Sequence, residues 1–214
     1  MQIAIPLFDQ MTALDALGPS EVLSRPPGWE VVFVAADPEP KRIEHNALQL
    51  VPDRALADVP RPDAICVPGG VGTRTQPQDE LVEWIRAVHE HTRWTTSVCT
   101  GALLLGRAGV LEGLRATTHW MHLEALREFG AEPVADERVV EQGKVITAAG
   151  VSSGIDMALR LLQIEGGDTL AQAVQLSIEY DPQPPVDAGS TQKAPQEVVD
   201  LVRKVGEAAE LEAR

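Results

Sequence analysis

The chain has no apolar run long enough to cross a bilayer. Met1 leads straight into a short strand-like segment, with neither a basic region nor a cleavage site. These absences exclude a helical membrane span and set the expectation of a cytoplasmic protein without a secretory leader. Positive charge is scarce as well. Lys and Arg number 18 against 32 Asp and Glu, a formal charge of -14, which disfavours the phosphate contacts that dominate nucleic-acid binding and disfavours docking on anionic lipid. A neutral or small substrate fits better. Only two cysteines occur, Cys66 and Cys99, each at or near the end of an apolar run. With no secretion signal, a structural disulfide between them is the weaker reading. The 16 prolines are scattered rather than gathered into a low-complexity tract.

What is present is a chain of 214 residues, enough for one domain with a proper core. Apolar runs of strand length at residues 3–7, 31–35, 64–67, 95–98 and 145–148 alternate with helical patterns. The clearest helices are 80–93, with Leu81, Trp84, Ile85 and Val88 on one stripe, and 155–164, with Ile155, Met157, Leu159 and Leu162. This alternation predicts an α/β sandwich whose central sheet is mostly parallel and covered on both faces. The pair Gln142-Gly143 between two short apolar segments predicts a hairpin and hence one antiparallel pair. No internal repeat is evident. A compact domain over 1–180 is followed by a Pro-rich arm and a charged final helix expected over 195–213. The extension as a whole, 181–214, is of the kind that packs on a partner subunit.

Candidate chemistry centres on Ser97-Val98-Cys99-Thr100-Gly101, where a β-branched strand stops at Cys99 and turns at once into an apolar helix. This has the form of a nucleophile elbow, with Ser97 and Gly101 as the small flanking residues. A helix starting there aims free amides and a positive dipole end at the sulfur, favouring thiolate. A buried, inert cysteine is the usual alternative, and the elbow context argues against it. The strand carrying Cys66 ends in Pro68-Gly69-Gly70, a glycine-rich turn whose Gly70 amide, with that of Thr100, is placed to stabilise an oxyanion. Asp15 follows the first strand between Leu14 and Leu17. An apolar setting raises its pKa, so that it stays protonated and donates to the sulfur as the acid. A helix-capping role for Asp15 is equally open at this point. The histidines carry no metal-ligand pattern: His89 and His91 face different ways, and His119 and His122 have no acidic or cysteine partner in register. His119 follows a short strand and is placed to approach Cys99, or to pack behind it.

Asp15, the Pro68-Gly69-Gly70 turn and the Cys99 elbow, in this order, resemble the ThiJ/PfpI superfamily across nearly the whole chain. Ser97 to Gly101, the run Arg115-Ala116-Thr117-Thr118-His119-Trp120, Gly154-Ile155-Asp156 and the arm Glu179-Tyr180-Asp181-Pro182 with Pro184-Pro185 bring the likeness closest to the isocyanide hydratases. The resemblance implies a flavodoxin-like three-layer sandwich related to class I glutamine amidotransferases, and a homodimer without organic or metal cofactor. It also implies that Cys99 adds to the terminal carbon of an isocyanide, giving a thioimidate that water converts to an N-substituted formamide. By the same resemblance Asp15 is general acid and base, Thr100 a supporting hydroxyl and amide, and Gly70 part of the backbone cradle. The turn Gly150-Val151 then walls the pocket, and His119 borders the substrate.

Departures from the superfamily narrow the choice. Protease-like members carry histidine directly after the cysteine. Here Thr100 takes that place and the expected base for peptide cleavage is gone. Glyoxalase-like and deglycase members usually have glutamate where Asp15 stands. Glyoxalase-type hydration of 2-oxoaldehydes through the same cysteine remains the enzyme alternative. A ligand or redox sensor is the other alternative, since an activated thiolate oxidises readily. Similar domains form the first half of some transcription regulators, but no helix-turn-helix segment follows here.

Overall fold

A computed structural model describes residues 1–44 and 48–212. The strands are β1 (Gln2–Pro6), β2 (Glu30–Ala35), β3 (Lys41–Arg42), β4 (Gln49–Leu50), β5 (Arg54–Ala55) and β6 (Ala64–Val67) in the first part of the chain. They continue with β7 (Trp94–Val98), β8 (Arg115–Ala116), β9 (Glu132–Pro133), β10 (Val139–Gln142) and β11 (Val145–Ala148). Seven of them form one sheet in the order β10-β11-β7-β6-β1-β2-β5. Every neighbouring pair is parallel except β10 with β11. Parallel strands need both faces covered, and β6 and β11 are accordingly buried along their whole length. The helices are α1 (Ala13–Leu23), α2 (Gly72–Thr75), α3 (Asp79–His89), α4 (Gly101–Arg107), α5 (Ser153–Ser177) and α6 (Gln196–Glu212). Helix α1 packs on α5, and α3 on α4. This is the three-layer α/β arrangement that the sequence pattern predicts.

Three elements differ in detail from the sequence expectation. Gln142 is still paired, opposite Val145, so the turn residues are Gly143 and Lys144 rather than Gln142 and Gly143. Gly143 takes φ +59°, the left-handed value a tight hairpin turn requires. Helix α3 stops at His89, four residues early, where Lys144 Nζ donates to the carbonyls of His89 and Thr92. Helix α5 runs well past residue 164 and breaks at Gly167, whose φ of +79° lies outside helical space.

The connectivity decides where a site can form. From β1 the chain moves to β2 on one side and later returns to place β6 on the other side of β1. The loops leaving β1 and β6 therefore part, which opens a crevice at the carboxyl edge of the sheet. Strand β7 delivers Cys99 to the same edge.

Candidate active site

Cys99 ends β7 with φ +56°, a left-handed value rare for a residue with a side chain. The bend is held from two sides. The Cys99 amide donates to the carbonyls of Ala148 (3.1 Å) and Ala149 (2.8 Å), and the Thr118 hydroxyl donates to the Cys99 carbonyl at 2.7 Å. Gly101 is required because a Cβ there would lie 2.1 Å from the Val67 carbonyl oxygen. This is the elbow geometry expected from the sequence, and both cysteines are free.

Asp15 sits in the first turn of α1, fully buried, and its Oδ2 accepts the Gly69 amide at 2.9 Å. The carboxyl thus ties the loop after β6 to α1 and leaves its own helix uncapped, which disposes of the capping alternative. Oδ1 has no hydrogen-bond partner among the described residues. Burial raises the Asp15 pKa from 3.8 to about 7; the Gly69 amide opposes the rise, the Glu44 charge adds to it, and the neighbouring Cys99 thiol draws it back.

The sulfur departs from expectation. Burial first, and the Asp15 charge second, push the Cys99 thiol well above the ordinary range, while the amides of Val151 and Thr100 pull it down. The helix start does not offset the burial: α4 begins only at Gly101 and has 7 residues, and burial outweighs the two amides that reach the sulfur. Burial thus favours the thiol form, and the amides of Val151 and Thr100 favour the charge that forms when the sulfur reacts.

Two glycine expectations also change. The Gly70 amide donates to Thr100 Oγ1 at 2.9 Å, and that hydroxyl donates back to the Gly70 carbonyl at 3.1 Å. Gly70 borders the cavity, but its N–H is taken and cannot serve as an oxyanion donor. Gly150 does not line the cavity at all. It lies under the His119 ring, where a Cβ would come within 2.9 Å of His119 Cδ2. Its neighbour Val151, at φ +31°, both lines the cavity and supplies the amide to the sulfur.

The cavity above Cys99 has a volume of about 430 Å³. His119 lines it. The His119 Nδ1 accepts the Met121 amide at 3.4 Å, which places the proton on Nε2, and burial with the nearby Arg74 charge lowers its pKa, so the ring is neutral. His122 lies beside it, with ring centroids 6.1 Å apart. Among the described residues no group of three or more His, Cys, Asp or Glu could hold a metal ion.

Several lining residues carry no sequence motif. Glu44, after β3, accepts the Thr12 hydroxyl at 2.7 Å and the Val71 amide at 3.3 Å, and its charge bears on both Asp15 and Cys99. Helix α6 also lies against its own chain. The Arg203 guanidinium stands 5.5 Å over the Trp120 ring, and a Cβ on Gly206 would meet Met121 Cε at 2.6 Å.

A model of the DJ-1/PfpI family matches residues 1–164. The chain belongs to the DJ-1/PfpI family. Among its relatives, an isonitrile hydratase of Pseudomonas putida is 46% identical over 205 residues, spanning 95% of this chain and 89% of that one. The transcriptional regulator CdhR of Pseudomonas aeruginosa is 29% identical over 183 residues, 83% of this chain but 53% of the regulator. Among solved structures, a ThiJ/PfpI family protein from Pseudomonas syringae superposes with a TM-score of 0.89 at 32% identity, over 99% of this chain and 90% of that one. The DJ-1/PfpI match covers the sheet and the Cys99 elbow; the arm and α6 lie beyond it.

Proposed function

We propose that this protein is an isocyanide hydratase, with Cys99 as nucleophile and Asp15 as the acid and base that serves it. The 46% identity to an isonitrile hydratase across 95% of the chain carries the assignment. The geometry around Cys99 supplies a mechanism. As the sulfur adds to the terminal isocyanide carbon, the thiol proton passes to Asp15, whose pKa of about 7 suits it to take a proton and return it. The amides of Val151 and Thr100 stabilise charge on the sulfur during this step. The new C–S bond leaves an electron pair on the carbon, and the same proton returns to that carbon, giving a thioimidate in which carbon is double-bonded to nitrogen. Water then adds to the carbon and a proton goes to nitrogen. The C–S bond breaks with its electrons on sulfur, which regains a proton, and the N-substituted formamide leaves.

Thr100, whose hydroxyl pairs with Gly70 and whose amide faces the sulfur, keeps the turn after β6 against the elbow. His119, neutral with its proton on Nε2, borders the substrate and offers one donor. The cavity requires no organic cofactor for this chemistry. The chain over 1–180 forms the catalytic domain, and 181–214 the arm and final helix. The protein works as a homodimer in the cytoplasm, a reading supported by the apolar side chains of Leu176, Val186 and Leu211 left in solvent and by two unpaired cysteines.

Turnover of cyclohexyl isocyanide to N-cyclohexylformamide, set beside consumption of methylglyoxal, tests the assignment. Formamide formation is expected, abolished in Cys99→Ala and reduced at least about 100-fold in Asp15→Asn. Methylglyoxal consumption without formamide would transfer the site to glyoxalase chemistry.

A further inference from the structure

Resting on the hydratase reading, we infer that the apolar face of α6 selects the substrate, gripping the substituent of the isocyanide and favouring bulky branched, cyclic or aromatic groups over small ones. Leu201, Val202, Val205, Gly206 and Ala209 recur at intervals of one, three, one and three residues, a single stripe along the helix, and all of them line the cavity above Cys99. The stripe is apolar yet wet: Leu201 is 59% exposed, Val202 42% and Val205 60%. A face of this kind, held over a nucleophile and not over the core, gains most when an apolar ligand group covers it.

The helix is seated well enough to act as a wall. Gly206 lets it approach Met121 closely, and Arg203 stacks over Trp120. The chemistry fixes the direction. An isocyanide is linear at its nitrogen, so with its carbon at the Cys99 sulfur the substituent points out of the elbow, across the cavity. The lining also carries Glu44 and His122, and its other apolar side chains are Val71, Met121 and Val151, so α6 contributes more of the apolar contact surface than any other element.

The test compares kcat/KM for cyclohexyl and methyl isocyanide in the wild type and in Leu201→Ala/Val205→Ala. Both positions are more than half exposed, so truncation leaves the core intact. The wild type is expected to prefer the cyclohexyl substrate, and the variant to lose that preference about tenfold, through KM. An equal fall for both substrates, or an unchanged ratio, overturns the inference. A second readout does not need turnover: alkylation rates of Cys99 by N-cyclohexylmaleimide and N-methylmaleimide, followed by peptide mass spectrometry. A cyclohexyl preference that the variant loses supports the grip of α6, and a preference the variant keeps overturns it. If no isocyanide is hydrated, the hydratase reading falls and the maleimide ratio alone decides what α6 does.

Discussion

Asp15 and Cys99 are two acids buried side by side: burial and the Asp15 charge push the Cys99 thiol up, while the thiol draws the burial-raised Asp15 pKa back. For stability the sign follows from the raised Asp15 pKa, about 7 in the folded protein against 3.8. Between about pH 4 and 7 the native state binds a proton that the unfolded chain has lost. The stability Asp15 contributes is full below about pH 4 and is lost as pH rises through 7, by up to roughly 4 kcal/mol. Asp15→Asn is expected to flatten that decline, measured by denaturant unfolding between pH 4.5 and 8.5; an unaltered slope would place the proton elsewhere. Glu44 adds its charge to both groups. Glu44→Gln should therefore shift the pH profile of Cys99 alkylation to lower pH, and a shift upward would contradict the assigned role.

At the scale of elements, the site depends on the bend between β7 and α4. Gly101→Ala forces a Cβ to within 2.1 Å of the Val67 carbonyl oxygen, and a backbone atom cannot yield as a side chain does. Thermal unfolding should register a loss of about 3 kcal/mol or more, with thiol reactivity altered as well. This bend was legible in the sequence because strand, cysteine and glycine are contiguous. So were the core strands of the sheet, whose apolar runs match their burial. The coupling across elements was less legible. Nothing in Gly70 itself reveals that Thr100 occupies its amide, and Gly150 and Val151 are neighbours whose roles differ because one backs onto His119 while the other turns its amide to Cys99. Glu44 lies in a loop with no motif, and the Thr12 hydroxyl, the Val71 amide and the Met11 carbonyl hold it at the site. The sulfur's raised pKa depends on burial, which a helix-start argument leaves out.

On the scale of the whole molecule, the sheet brings three distant loops to one edge, and a segment beyond the family match closes the space above them. The homodimer reading predicts twice the monomer mass by light scattering, whereas a monomer at micromolar concentration would leave Leu176, Val186 and Leu211 without their proposed cover and contradict it. Central to the account is that Cys99 bonds to the substrate carbon. Rapid quench of the wild-type protein during turnover of cyclohexyl isocyanide, followed by intact-mass and peptide mass spectrometry, reads this directly. An adduct of one isocyanide mass on the Cys99 peptide, decaying as N-cyclohexylformamide accumulates and absent from Cys99→Ala, is the predicted result; formamide production by Cys99→Ala at the wild-type rate would contradict it.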